Sequence, residues 1–363
     1  MRRTILLLLA LCVLAPATAS ARTVPQGFFG VMADGALVTR DDASLASEFT
    51  LMKASGVETI RPVVYWADMQ PTKTGPVDFS ALDRIMGDAA QNGMHVIPVV
   101  LRAPAWARID PAQQASPPKN PADYAAFMRL LIARYGPSGS FWSEHPEIPA
   151  APQHAWQIWN EPNITKYWQA PTYAKGYVQL LKVAHAAIKQ ADPASTVIMA
   201  GLGNASWTAL AAEYKAGLNG SMYDIAATHP FSARLSNVLK IIQLYRGVMA
   251  KNGDARKPLD ITELTWASSK GTDATDIAGF STTQAGQATK LTAAYKALMA
   301  KRKAWNIQTV IWSTWLTSDG TDGSINLFDW SGLRALNPAD PTGPPISKPA
   351  LAAYANVALA AER

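Results

Sequence analysis

Eight times along this chain a short run of β-branched and aromatic residues is followed by an alanine-rich stretch of helical period. No other feature restricts its possible folds as much. The strand-like runs fall at residues 28–34, 59–66, 95–102, 155–160, 196–202, 224–229, 259–264 and 309–315. The helical stretches fall at 44–54, 81–92, 122–135, 173–191, 208–218, 237–252, 284–301 and 348–360. This alternation argues for βα units on a parallel sheet. The punctuation agrees. Asn120 can cap the third helix with Pro121 in its first turn, and Thr172 is the expected N-cap of the fourth. Asn92-Gly93 and Asn252-Gly253 supply glycines where helices end and a positive φ is needed. Eight regular units without a composition break or a Ser/Gly linker favour a closed (β/α)8 TIM barrel over an open doubly wound sheet. The expected fold class is therefore α/β, one (β/α)8 domain over residues 22–363. The last helix runs to the C-terminus and leaves no room for an appended domain.

The barrel does not include the first residues. Arg2 and Arg3 precede an apolar run from Ile5 to Leu14, then Pro16 and the small residues Ala19-Ser20-Ala21. That is the pattern of a secretory signal peptide over residues 1–21, cleaved near Ala21. The run is too short for a permanent span, which needs about 20 residues. The expected product is secreted or periplasmic, with no stable membrane insertion after cleavage. The only cysteine, Cys12, leaves with the leader, so the mature chain has no disulfide or thiolate chemistry. The formal net charge is +6. Its lysines and arginines are spread along the chain, with only Lys301-Arg302-Lys303 clustered after a helical stretch, as a solvated helix end. No nucleic-acid partner is expected.

In such barrels chemistry gathers at the C-terminal ends of the strands. Of eight glutamates, two end strands directly: Glu161 the fourth, in Trp159-Asn160-Glu161-Pro162-Asn163, and Glu263 the seventh, in Thr262-Glu263-Leu264. Strands four and seven face one another across the mouth. Two carboxyls across a sugar-sized cleft are what glycoside hydrolysis needs, one protonated to assist the leaving oxygen and one ionised to attack or to activate water. The alternative is a pair of structural carboxylates in ion pairs.

The chain also has 12 tryptophans. Trp66, Trp106, Trp159, Trp168, Trp207, Trp266, Trp312 and Trp315 lie in or near strand ends, and flat aromatic faces stack well on pyranose rings. About half of these are expected to fill the core instead, as large aromatics do in barrels. Trp66 and Trp266 are counted with the substrate-binding candidates.

Trp-Asn-Glu-Pro-Asn at 159–163, Thr262-Glu263 on a later strand and an aromatic eighth strand resemble the clan A retaining glycoside hydrolases, most of all family 39 and its cellulase-like relatives. The resemblance spans the barrel from Phe28 to Ala360. It implies Glu161 as general acid/base and Glu263 as the nucleophile of a double displacement. It further implies that Asn160 binds the sugar 2-hydroxyl, Arg61 orients and holds ionised the nucleophile, His229 lines the pocket, and Trp312 or Trp315 forms its floor. Arg61 has a second reading, a buried structural ion pair. Asn160 and Glu161 are adjacent, so both enter the site only if the strand bulges or has become loop there. Many family 39 enzymes carry an accessory β-sandwich; none is expected here, which weakens any transfer of their specificity for xylosides or uronides. The polar stretch 318–323 after strand eight is either a substrate-reaching loop or a solvated turn.

Rival chemistries lack their residues. Of the five histidines only His229 ends a strand, and no His-x-His or His-Glu-x-x-His occurs, so neither metal nor cofactor is expected. No Gly-x-Ser-x-Gly elbow, Walker loop or Gly-x-Gly-x-x-Gly is present. The expectation is a secreted retaining β-glycosidase or endo-β-glycanase acting on oligo- or polysaccharides. The non-enzyme alternative is a glycan-binding barrel that has lost turnover.

Overall fold

The computed structural model describes residues 22–277 and 279–361, so the expected leader over 1–21 lies outside the described residues. Eight parallel strands form the barrel: β1 (Phe29–Ala33), β2 (Thr59–Tyr65), β3 in two pieces (His95–Val96 and Val99–Leu101), β4 (Ala155–Ile158), β5 (Thr196–Ile198), β6 (Ala226–Thr228), β7 (Leu259–Leu264) and β8 (Ile307–Trp312). The split in β3 falls at Ile97-Pro98, where proline has no N–H to give the ladder. Neighbours pair in chain order, and Phe29 beside Val310 joins β1 to β8. The ring closes between β5 and β6 through Ile198 beside Ile225 and Leu202 beside Thr228.

The outer helices are α1 (Asp42–Ala54), α2 (Ser80–Gln91), α3 (Pro121–Tyr135), α4 (Tyr173–Ala191), α5 (Ser206–Lys215), α6 (Leu235–Lys251), α7 (Gln284–Trp305) and α8 (Pro349–Ala361). Asn120 caps α3 as expected, its side chain accepting from the Ala122 N–H at 3.1 Å. Gly93 and Gly253 sit at φ 63° and 88° just past α2 and α6. Thr172 does hold the position before α4, but at φ 53° its hydroxyl turns back to the Pro171 carbonyl and caps nothing. The basic cluster at 301–303 is the last turn of α7, which runs on to Trp305.

Between β8 and α8 the chain builds something periodicity did not show. Leu316–Thr317 (β9) pairs parallel with Arg334–Ala335 (β10), and β10 pairs antiparallel with Ile346–Ser347 (β11). A buried Lys348 anchors this flap at α8 by donating to Asp319 (3.0 Å) and to the Trp330 carbonyl (2.9 Å). Asp319 is thereby committed to an ion pair within the 318–323 stretch. Among the described residues no helix is long and apolar enough to cross a membrane.

Candidate active site

The site is wired at the C-terminal ends of the strands. β4 stops at Ile158, and the next residues leave strand geometry: Trp159 has φ 69° and Glu161 φ 40°. With the backbone turning twice in three residues, Asn160 and Glu161 both face the barrel mouth, which strict alternation forbids. β7 reaches the same result differently. Its ladder with β8 shifts register between Ile261 and Leu264, and across that irregularity Thr262 and Glu263 both point inward.

Arg61, on β2 and completely buried, is the hub. Its Nη1 donates to Glu263 Oε1 at 3.0 Å and its Nη2 to Asn160 Oδ1 at 2.8 Å. Its Nε donates to Gln157 Oε1 at 2.6 Å. Using the whole fork fixes three side chains at once, which lysine cannot do. With its carbonyl engaged by Arg61, Asn160 presents its NH2 as the group for a ligand.

His229, at the end of β6, touches both carboxyls. Its Nδ1 lies 2.8 Å from Glu161 Oε1, and its Nε2 lies 3.0 Å from Thr262 Oγ1 and 3.7 Å from Glu263 Oε1. Burial pulls the imidazole down to about 4, against the pull of Glu263, so it is neutral at pH 7. Burial pushes Glu161 up to about 7, opposed by Arg61 and Lys166 at longer range. Glu263 was expected to be held low by Arg61. Arg61 and His229 do favour its ionised form, yet burial outweighs them and, with Glu161 and Asp34 near, leaves its pKa above the ordinary range. The two carboxyls still differ in kind. Glu263 accepts a charge-assisted hydrogen bond from a guanidinium, whereas Glu161 faces a neutral imidazole, so the proton resides on Glu161. Glu161 then donates to Nδ1, and Nε2–H donates to Thr262. Loss of that proton requires the opposite tautomer.

Two glycines make the room. A Cβ at Gly201 would collide with His229 and Thr262, and one at Gly203 with the Glu161 carboxyl.

The cleft beside this network measures about 660 Å³ and is lined by Asp34, Tyr65, Arg102, Lys166, Tyr167 and Gln169 among others. Its aromatic walls are tyrosines. All four tryptophans expected to meet substrate are completely buried. Each gives its indole N–H to the protein: Trp66 to Gln70 (2.9 Å), Trp266 to the Ser232 carbonyl (2.9 Å), Trp312 to the Ser331 carbonyl (2.9 Å) and Trp315 to Glu48 (2.7 Å). No ring face is left for a sugar, and of the eight strand-end tryptophans only Trp106 and Trp207 are part-exposed.

Sequence reasoning named Arg61, Asn160, Glu161, His229 and Glu263, and the fold brings these five together. It missed Gln157, Thr262, Asp34, Tyr65 and Tyr167. Gln157 was within reach: it stands two residues before Trp159 in a strand that opens onto the mouth, and a buried amide there needs partners. Asp34 directly follows β1, as Glu263 nears the end of β7; its carboxyl lies 2.6 Å from the Thr314 hydroxyl.

No family model matches the sequence, and no curated protein matches it. Solved structures do. A family 39 glycoside hydrolase from the gut symbiont Bacteroides cellulosilyticus is similar at 20% identity and TM-score 0.65, over 93% of this chain. This chain spans 64% of that protein's length. A monomeric β-xylosidase from Caulobacter crescentus is similar at 17% identity and TM-score 0.64, over 93% of this chain and 69% of the other. A GH5_18 protein from Streptomyces cattleya, in complex with GlcNAc, is similar at 16% identity and TM-score 0.67, over 93% and 80%. The resemblance expected from the Asn-Glu-Pro segment is met at the level of fold: this chain has a (β/α)8 barrel similar to those of these solved glycoside hydrolases.

Proposed function

We propose that the chain is an exported retaining glycoside hydrolase that cleaves β-glycosidic bonds of an oligo- or polysaccharide by double displacement. The observation that carries this reading is the inequality of the two carboxyls: Glu161, buried against a neutral His229, keeps its proton to about pH 7, while Glu263 is held by Arg61. The likeness to solved glycoside hydrolases supports it.

In the first step Glu263 attacks the anomeric carbon and the Glu161 proton passes to the leaving oxygen. The C–O bond breaks and a glycosyl ester of Glu263 forms. In the second step Glu161, now ionised, takes a proton from water, whose oxygen displaces Glu263 and leaves the anomer of the starting bond. Asn160 donates to the 2-hydroxyl, Arg61 positions both Asn160 and Glu263, and His229 changes tautomer as Glu161 changes charge. The leader, if cleaved near Ala21, delivers the barrel to the periplasm or medium.

The test uses aryl 2-deoxy-2-fluoro-β-glycosides with mass spectrometry of the digested protein. Label on the peptide containing Glu263 is expected. An active enzyme that accumulates no label, or labels elsewhere, removes Glu263 as nucleophile. No turnover on any aryl β-glycoside or on β-glucan, xylan and mannan would favour the barrel that binds glycan without cleaving it.

A further inference from the structure

The cleft carries an unused cation in a strained setting. Arg102, just past β3, has φ 59°, a left-handed conformation uncommon outside glycine. Its carbonyl is tied down by the Ala67 N–H at 2.9 Å, and its guanidinium carbon lies over the Tyr65 ring, 4.1 Å from the centroid. Among the described residues it has no ion pair and donates no side-chain hydrogen bond, so its fork lines the cleft unspent. Lys166 lines the same cleft, 5.4 Å from the Tyr167 ring, also without an ion pair among the described residues. Asp34 lines the same cleft, and Glu161 and Glu263 belong to the hydrogen-bonded network beside it. Arg102 and Lys166 thus give the cleft a cationic wall beside the network that holds the two carboxyls.

We propose that this wall is a subsite for an acidic sugar: Arg102, helped by Lys166, binds the carboxylate of a uronic acid adjacent to the neutral sugar held at Glu161 and Glu263. A planar fork held over an aromatic ring suits a carboxylate, which it grips with two parallel hydrogen bonds. Asp34 and Glu263 repel the same charge at the cleavage point, so the acidic residue is directed to the neighbouring position. Without the leader's Arg2 and Arg3 the formal net charge is still +4, which gives the long-range field the matching sign. The inference rests on the glycosidase reading only for the ligand being a sugar.

The test is binding, independent of turnover. Gellan and glucuronoxylan are compared with the same polymers after their carboxylates are reduced to primary alcohols, using wild type, Arg102→Gln and Lys166→Gln. Thermal melting confirms that each variant is folded, and Lys166, being exposed, keeps the test open if Arg102→Gln melts early. Wild type is expected to prefer at least one carboxylated polymer by about tenfold or more, and Arg102→Gln to lose most of that preference. Lys166→Gln should lose a smaller part. Equal affinity for carboxylated and reduced polymers overturns the proposal, as does a preference that both substitutions leave intact, which would place the anion elsewhere on the basic surface. Tighter binding of carrageenan than of either carboxylated polymer would assign the wall to sulfate and overturn it too. None of these results touches the fluoroglycoside labelling of Glu263, so the two readings fail separately.

Discussion

Replacing the proposed acid with its neutral isostere, Glu161→Gln, should cut activity most on substrates with poor leaving groups and raise stability, by an amount that depends on pH. In the folded chain Glu161 titrates at about 7. In an unfolded chain a glutamate titrates near ~4.3, so at high pH its ionisation opposes folding by roughly 3.7 kcal/mol at ~1.36 kcal/mol per unit. The sign follows from proton counting. Between about pH 4.3 and 7 the folded chain holds a proton that the unfolded chain releases, so rising pH destabilises the fold through that window and no further above it. Glutamine has no proton to lose, and its amide can still meet His229 Nδ1 as donor or acceptor. The variant should match wild type near pH 4 and exceed it by about 3.6 kcal/mol at pH 8. With an unfolding entropy near ~2.1 cal/mol/K per residue, that corresponds to a melting temperature roughly 4–5 °C higher at pH 8. Other buried acids, Asp260 and Glu213 among them, also titrate upward, but they cancel when the variant is subtracted from wild type. The assay is scanning calorimetry of both proteins from pH 4 to 9. A difference in melting temperature that stays flat across the window, or a variant less stable at pH 8, would show that Glu161 does not hold its proton there and would remove the basis for its acid role.

The pH–rate profile should carry the same group: kcat/KM is expected to fall above about pH 7 as Glu161 ionises, and Glu161→Gln should erase that limb on substrates with good leaving groups; a wild-type rate still level at pH 9 would contradict the assignment. Gly203→Ala places a methyl group against the Glu161 carboxyl at a position without positive φ, so its melting temperature should change by only a few degrees while kcat/KM drops by about 100-fold; unchanged kinetics would mean that the carboxyl has another place to sit. Arg61→Lys keeps the charge but loses two of the three fork contacts, to Gln157, Asn160 or Glu263, and kcat/KM measured on an aryl glycoside should fall by about 100-fold or more; near wild-type activity would reduce Arg61 to a structural ion pair.

Much of the frame is legible in the sequence because periodicity reports which residues are buried together, and in a barrel that is nearly the whole fold. The eight strands lie within about two residues of the expected runs where they begin, and fall short where the chain turns into the site. β5 is the clearest case: the run to Leu202 reads as strand, but the ladder stops at Ile198 and continues only as single bridges, because Gly201 and Gly203 make room there for His229 and Glu161. The tryptophans were misread for a related reason. Composition counts aromatic rings without saying which way each faces, and in this barrel the indole N–H groups of Trp66, Trp266, Trp312 and Trp315 all find buried acceptors. The flap from β9 to β11 escaped notice because strands of two residues have no period to detect.

The site depends most on what periodicity averages away. Each proposed carboxyl sits next to another residue that must also face inward, Asn160 beside Glu161 and Thr262 beside Glu263. An ideal strand delivers only one of each pair. β4 ends early and turns through left-handed backbone, whereas β7 stays a strand and shifts register. These two devices place different partners. The turn leaves Glu161 to an imidazole that burial has made neutral. The register shift lets Glu263 keep the guanidinium while Thr262 serves the other side of that same imidazole. Similar burial would push both carboxyls upward together and leave an unassigned pair. The difference in partner, set by local backbone geometry at two strand ends, is what suits one glutamate to the proposed role of acid and the other to that of nucleophile.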